Sequence, residues 1–218
     1  MFMSALWDTI FEINEAHSQC SVFLIDNHIP ALCFGASDKP CIYLGGFGSE
    51  ERESSVMLLK FFDELLTAAE TNSNMAGIAV KKAMDKRSVI VVPAVCPQAM
   101  TYEDTKINIR NLLPVAKYLA FHKAGLTFTV AGEGNCIICP KQRHIDGVDT
   151  KTVGDIISAC SKIPVAGEKN GVCAEFRRWA EVNAKIPAYS LFLNNHGTAE
   201  TDYDYSLLKE TLLVGALL

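Results

Sequence analysis

The sequence predicts an α/β domain on a largely parallel or mixed sheet, and three observations carry that prediction. Short apolar runs of strand length alternate with longer segments of helical periodicity. No internal repeat or low-complexity linker breaks the alternation, so residues 1–218 read as one domain. Hydrophobic residues make up 49% of the chain and charged residues 21%, enough apolar surface for a sizeable core without disulfides or structural metal.

Each element follows from its local pattern. Met1 to Phe11 lacks a basic leader and places Asp8 early, so it reads as a helix and not as a signal peptide. Cys20 to Ile25 and Pro30 to Phe34 are apolar runs separated by Asp26-Asn27-His28, a hairpin-like turn. Cys41 to Leu44 is a strand ended by Gly45-Gly46. From Glu50 to Glu70, Val56, Leu59, Phe62, Leu66 and Ala69 recur at helical spacing, with Ser49 as N-cap and Glu50, Glu51 and Glu53 in the first turn. A weaker helix is expected over Met75 to Met84, and a strand buried on both faces over Ser88 to Val95. Leu112, Val115, Leu119 and His122 define a helix over Asn111 to Lys123 that Gly125 ends, and Leu126 to Val130 opens another strand. Thr152 to Cys160 and Cys173 to Ala184 read as short helices, Ala188 to Leu193 as a strand after Pro187, and Tyr205 to Leu218 as a closing helix.

Charge and composition exclude several classes. Twenty basic against 25 acidic residues give a net charge of −5, which offers no electrostatic grip on nucleic acid or anionic lipid. No apolar run approaches the roughly 20 residues that span a bilayer, so the expected location is the cytoplasm, away from membranes. The eight cysteines are scattered and read as reduced core thiols; Cys136 and Cys139 form a C-x-x-C, but Ile137 and Ile138 make it strand-like and no second ligand pair accompanies it. The five histidines fall in no H-x-x-E, H-x-H or H-E-x-x-H pattern. Gly45-Gly46-Phe47-Gly48 lacks the phosphate-loop pattern, and the acidic first turn after it would repel a phosphate.

In sheets of this type, sites gather at the carboxyl ends of the strands. There Ile42-Tyr-Leu-Gly-Gly-Phe-Gly-Ser-Glu-Glu-Arg-Glu-Ser54 resembles the strand, Gly-rich turn and H-x-x-E segment of the zinc carboxypeptidase family, including its bacterial γ-D-glutamyl-diaminopimelate peptidase branch. Val91-Val-Pro-Ala-Val-Cys-Pro-Gln-Ala99 is similar to the strand ending in N-P-D-G, and Asn108-Ile-Arg-Asn-Leu-Leu-Pro114 to L-N-R-N-F-P. Phe128-Thr-Val-Ala-Gly-Glu133 resembles F-H-T-A-G-E, and Cys173 to Leu193 resembles the helix and strand that close on the catalytic glutamate. The resemblance implies a mixed, twisted β-sheet with helices on both faces, in a chain shortened between Ala99 and Leu112.

The resemblance also implies which chemistry is missing. Glu51 matches the family's glutamate ligand, but Gly48 and Thr129 stand where its two histidines should be. Aligning Glu50 instead restores no histidine. Phe192 stands at the catalytic glutamate, and a phenyl ring cannot move a proton. Arg110, Asn111 and Glu133 are the candidate ligand-binding residues, Arg110 because an arginine fork clamps a terminal carboxylate. The expectation is a degenerate, non-catalytic relative without cofactor that binds a peptide or a peptidoglycan-stem fragment. Two alternatives stay open: an active metallopeptidase with ligands from unaligned positions, and a metal-independent hydrolase using Cys96 with His196.

Overall fold

Alternate residues of the same strands feed two separate apolar layers, and this period-two division organises the structure. The computed structural model describes residues 2–85, 87–101, 107–132, 134–193 and 201–218. Helix α1 (Phe2–Ala16) leads into the hairpin of β1 (Cys20–Ile25) and β2 (Ile29–Gly35). Asp26 and Asn27 turn it with φ of 51° and 61°, a left-handed conformation that short polar side chains tolerate. Next come β3 (Cys41–Leu44), α2 (Arg52–Glu70), the two-residue strands β4 (Asn74–Met75) and β5 (Ile78–Ala79), and the single turn α3 (Val80–Ala83). Strand β6 (Ser88–Val92), α4 (Pro97–Thr101), α5 (Leu113–His122), β7 (Leu126–Ala131) and β8 (Cys136–Ile138) follow. A second small hairpin, β9 (His144–Ile145) and β10 (Val148–Asp149), precedes α6 (Thr150–Ser161), α7 (Val172–Trp179), β11 (Ala188–Phe192) and α8 (Thr201–Leu217).

The main sheet is mixed, in the order β1-β2-β6-β3-β7-β11-β8. Strands β6, β3, β7 and β11 run parallel, while β1, β2 and β8 attach antiparallel at the flanks. One face buries Tyr43, Val89, Val91, Phe128, Val130, Tyr189 and Leu191 against α1, α2, α6 and α8. The other buries Ile42, Leu44, Ile90, Val92, Ala131 and Phe192 against α5 and α7. Helices therefore cover both faces, as expected. Tyr43, Phe128 and Tyr189 line up across β3, β7 and β11 with ring centroids 5.5 and 5.4 Å apart. Burying each such ring contributes about 1.5–3 kcal/mol. Their hydroxyls stay satisfied, Tyr43 donating to the Leu212 carbonyl and Tyr189 to that of Thr150 at 2.9 Å.

Several local expectations are corrected. Met75 to Met84 is not one helix but the β4–β5 hairpin and one helical turn, because Ala76 and Gly77 adopt φ of 48° and 78° and reverse the chain. Ser49 does not cap α2: it lies in a 3-10 turn, Ser49–Glu51, with no side-chain cap bond, and the α-helix begins at Arg52. Val56, expected in the apolar stripe, is 54% exposed. Helix α5 begins at Leu113 after a 3-10 turn over Ile109–Leu112, and it ends at His122, where Lys123 with φ of 47° supplies the left-handed cap two residues before Gly125. The strand beginning at Ser88 stops at Val92, and α7 passes into a π-turn over Ala180–Ala184. The expected strand character of the C-x-x-C stretch is present as β8, with Cys136 buried. Among the described residues, no helix is long and apolar enough to cross a membrane.

The junction of α1 with β1 is tied to α2 by charge. Buried His17 places Nε2 at 2.9 Å from Asp63 and Nδ1 at 2.8 Å from Glu70. A neutral imidazole has one N–H and could donate to only one of these carboxylates, so the geometry fits imidazolium. Burial opposes that charge, but the hydrogen bonds and charges of Glu70 and Asp63 outweigh it and hold the pKa above the ordinary histidine value.

Candidate functional site

The turn after β3 is built by close packing. A Cβ on Gly45 would come 2.7 Å from Leu58 Cδ1, and one on Gly46, at φ +65°, would come 2.5 Å from the Pro93 carbonyl oxygen. Ser54 Oγ accepts from the Gly46 N–H at 3.2 Å and donates to the Glu51 carbonyl at 2.7 Å. The Gly-rich turn thus brings the ends of β3 and β6 against the start of α2. It places Glu50 and Glu51 over the carboxyl ends of the parallel strands.

A cleft of about 300 Å³ opens there, lined by Glu50, Glu51, Gly132, Cys173 and Phe192 together with residues 169–172. Its wall comes from the turn that follows β3, from Gly132 just after β7, from Phe192 at the end of β11 and from the start of α7, so the cleft lies where a parallel sheet collects functional side chains. The Glu51 carboxylate turns inward. It accepts the buried Phe47 N–H at 3.2 Å, and the Cys173 thiol lies 3.8 Å away, directed at its Oε1. Lys169 reaches over the cleft with its Nζ 4.5 Å from the centre of the Phe192 ring, a cation–π contact.

The residues singled out in the sequence are not all in this cleft. Glu51 and Phe192 are in its wall. Thr129 is fully buried in the sheet behind it, donating to Ser190 Oγ at 2.8 Å. Gly48 is covered by Ile107, whose Cδ1 would lie 3.1 Å from a Cβ at that position. Arg110 and Asn111 are exposed on the turn before α5 and are not part of the wall. Asn111 serves that turn, its Oδ1 accepting from the Asn108 N–H at 3.0 Å while Asn108 Oδ1 accepts from the Arg110 N–H at 2.9 Å. Glu133 and His196 lie outside the described residues. Cys96 is buried, and burial raises its pKa, which disfavours the thiolate that a nucleophile needs.

Lys169, Asn170 and Cys173 were not singled out from the sequence. The available signal was Gly167-Glu168-Lys169-Asn170-Gly171, a polar run between two glycines just before a helix. Its anchor is Arg177, a fully buried guanidinium that donates to Glu168 and to the Cys139 carbonyl at 3.0 Å and lies 3.5 Å from Glu181.

No protein-family model matches the sequence, and no curated protein does either. Solved structures do match in shape. A metallo-carboxypeptidase from Burkholderia cenocepacia superposes with a TM-score of 0.67 at 11% identity, over 96% of this chain and 66% of its own. Carboxypeptidase A from Helicoverpa armigera gives 0.62 at 10% identity, covering 97% and 70%. The fold is zinc-carboxypeptidase-like. The murein-tripeptide amidase MpaA from Escherichia coli O157 matches with 0.53 at 12% identity, over 84% of this chain and 86% of that one. The chain spans just under two thirds of the length of the two Burkholderia carboxypeptidase structures, 66% and 65%.

A catalytic zinc in a carboxypeptidase-like fold needs about three protein ligands and an open position. The described residues at these strand ends do not fit that requirement. Glu50 and Glu51 offer carboxylates and Cys173 a thiol, but no histidine is among the lining residues, Thr129 is buried in the sheet and Phe192 has no donor atom. Among the described residues, no group of three or more His, Cys, Asp and Glu side chains is placed to hold a metal ion.

Proposed function

We propose that this carboxypeptidase-like domain is non-catalytic and that its cleft binds a short peptide, with a peptidoglycan-stem peptide as the class to test first. The observation that carries this reading is the environment of Glu51. Its carboxylate is directed to the Phe47 N–H and the Cys173 thiol, and no histidine joins it from the family positions Gly48 and Thr129. Phe192 at the position of the general base supports the same reading, since it can pack against a ligand but cannot accept a proton. The cleft retains an acidic side at Glu50 and Glu51 and a cationic side at Lys169, which suits a ligand carrying both charges. The name of the amidase neighbour, a murein tripeptide enzyme, makes a stem tripeptide the natural probe.

The decisive experiment combines metal analysis with binding. After saturation with Zn²⁺ and removal of excess, the protein is expected to retain no stoichiometric zinc and to cleave neither C-terminal amino-acid peptides nor γ-D-glutamyl peptides. Titration calorimetry with a stem tripeptide is expected to show binding without turnover. One tightly held zinc per chain, with peptide hydrolysis that a chelator abolishes, would overturn the reading.

A further inference from the structure

We propose that residues 167–171 form a strap that gates the cleft, latched shut by Glu168 on Arg177 and by Lys169 on Phe192. The inference deepens the cleft-as-binding-site reading by supplying its access control. The strap itself is a property of the chain and is read without any ligand.

The boundaries of the strap are physical. On its N-terminal side the chain is fixed to the sheet, where the Ala166 N–H donates to the Ile137 carbonyl at 2.9 Å and Val165 bridges Ile137. On its C-terminal side α7 begins at Val172. Both bounding residues are glycine. Gly171 has φ +113°, a conformation L side chains rarely adopt, and neither Gly167 nor Gly171 has an atom within 4 Å of a built Cβ. Two uncrowded glycines around three residues give the backbone freedom to swing.

The strap has little apolar attachment. Its residues are exposed apart from half-buried Lys169, so hydrophobic burial does not hold it down. Charge holds it instead. Glu168 meets the buried Arg177, accepts from Arg178 Nη1 at 3.0 Å and lies 3.8 Å from Lys141 Nζ. These cations hold its carboxyl below the ordinary range against the opposing effect of partial burial. The Arg177 end of the latch is rigid because a fully buried guanidinium cannot follow the strap into solvent without leaving Glu181 and the Cys139 carbonyl. At the next residue Lys169 lies over the Phe192 ring in the cleft. Opening the latch therefore lifts Lys169 from the cleft while α7 and its arginine stay in place.

Cys173 reports the gate. It lines the cleft beside the strap, is 3% exposed, and belongs to α7, which buried Arg177 ties to the Cys139 carbonyl. Labelling with N-ethylmaleimide is quantified peptide by peptide in Glu168→Ala and, separately, in Lys169→Ala. Exposed Cys160 serves as the reference thiol and buried Cys41 as the monitor of global opening. Labelling of Cys173 relative to Cys160 is expected to rise about fivefold or more in each variant, the scale set by losing a partly exposed charge cluster, with Cys41 unchanged. If Glu168→Ala does not fold, Lys169→Ala decides alone. A Cys173 rate that follows Cys160 or Cys41 in a folded variant overturns the strap. Failure of the stem tripeptide to bind, with Cys173 still unmasked by the variants, overturns the peptide reading and leaves the strap standing.

Discussion

The thiol of Cys173 lies 3.8 Å from Oε1 of Glu51, joining the start of α7 to the turn before α2 across 122 residues of sequence. Burial, and then the charge and hydrogen bond of Glu51, push this thiol well above the ordinary cysteine value. At neutral pH it is held as the protonated hydrogen-bond donor, so its alkylation is slow. In Glu51→Gln the negative neighbour is gone but the burial remains. The pH profile of Cys173 alkylation is expected to move to lower pH while staying above that of a free cysteine. An unmoved profile would show that the carboxylate does not act on the thiol.

The His17 clamp makes stability depend on pH with a definite sign. Its folded-state pKa is raised, so its contribution is complete below the unfolded value of about 6.5 and is lost as pH rises through the folded value. In urea titrations, wild type is expected to exceed His17→Asn by about 1 kcal/mol at pH 5.5, a figure reduced for the exposure of Asp63, and by less at pH 8.5. A constant difference across that range would mean that His17 acts by packing alone.

Gly46 and Gly77 separate backbone strain from crowding. Both have positive φ, +65° and +78°, but only Gly46 has neighbours within 4 Å of a built Cβ. Gly77→Ala is expected to cost about 1 kcal/mol and Gly46→Ala about 3 kcal/mol, since the second adds a collision to the same strain. Thermal midpoints of the two variants measure the gap.

Grafting a histidine at position 129 is expected to damage the sheet without building a metal site. Thr129 is fully buried and bonded to Ser190, so a ring there overpacks the layer and leaves the serine hydroxyl short of a partner. Thr129→His should lose about 2–4 kcal/mol and gain no zinc affinity, read by denaturation and by metal titration.

Arg177 anchors more than the strap. Removing a buried guanidinium strands the largely buried Glu181, which also accepts the Gln142 N–H at 2.6 Å. Arg177→Ala is expected to cost about 3–5 kcal/mol, far above the near-zero effect of Arg110→Ala on its exposed turn. Equal losses at the two arginines would remove the case for a buried anchor.

Much of the sheet was legible in the sequence because it is written in local pattern. The β-branched run beginning at Ser88 and the stripe of Leu59, Phe62 and Leu66 each declare one element without help from the rest of the chain. The small hairpins were less visible, although Asp146-Gly147 is a strong two-residue turn signal, because strands of two residues carry no periodicity. The cleft was harder still. Glu51 and Phe192 could be placed through the family resemblance, whose motifs fall at strand ends, but Lys169 and Cys173 enter through a connection whose path depends on a buried arginine ten or fewer residues away. No periodic pattern encodes that path. Arg110 looked informative because of its residue type, yet its orientation follows from the capping turn of Asn108 and Asn111.

The two registers of the central strands answer to different demands. Tyr43, Phe128 and Tyr189 lock neighbouring strands together on one side, while the intervening positions run toward Phe192 and the cleft on the other. Cohesion and chemistry are thus interleaved letter by letter along one backbone. Substitutions at the cleft ends of the second register leave the aromatic row intact, so the cleft can change its side chains without loosening the scaffold that carries it.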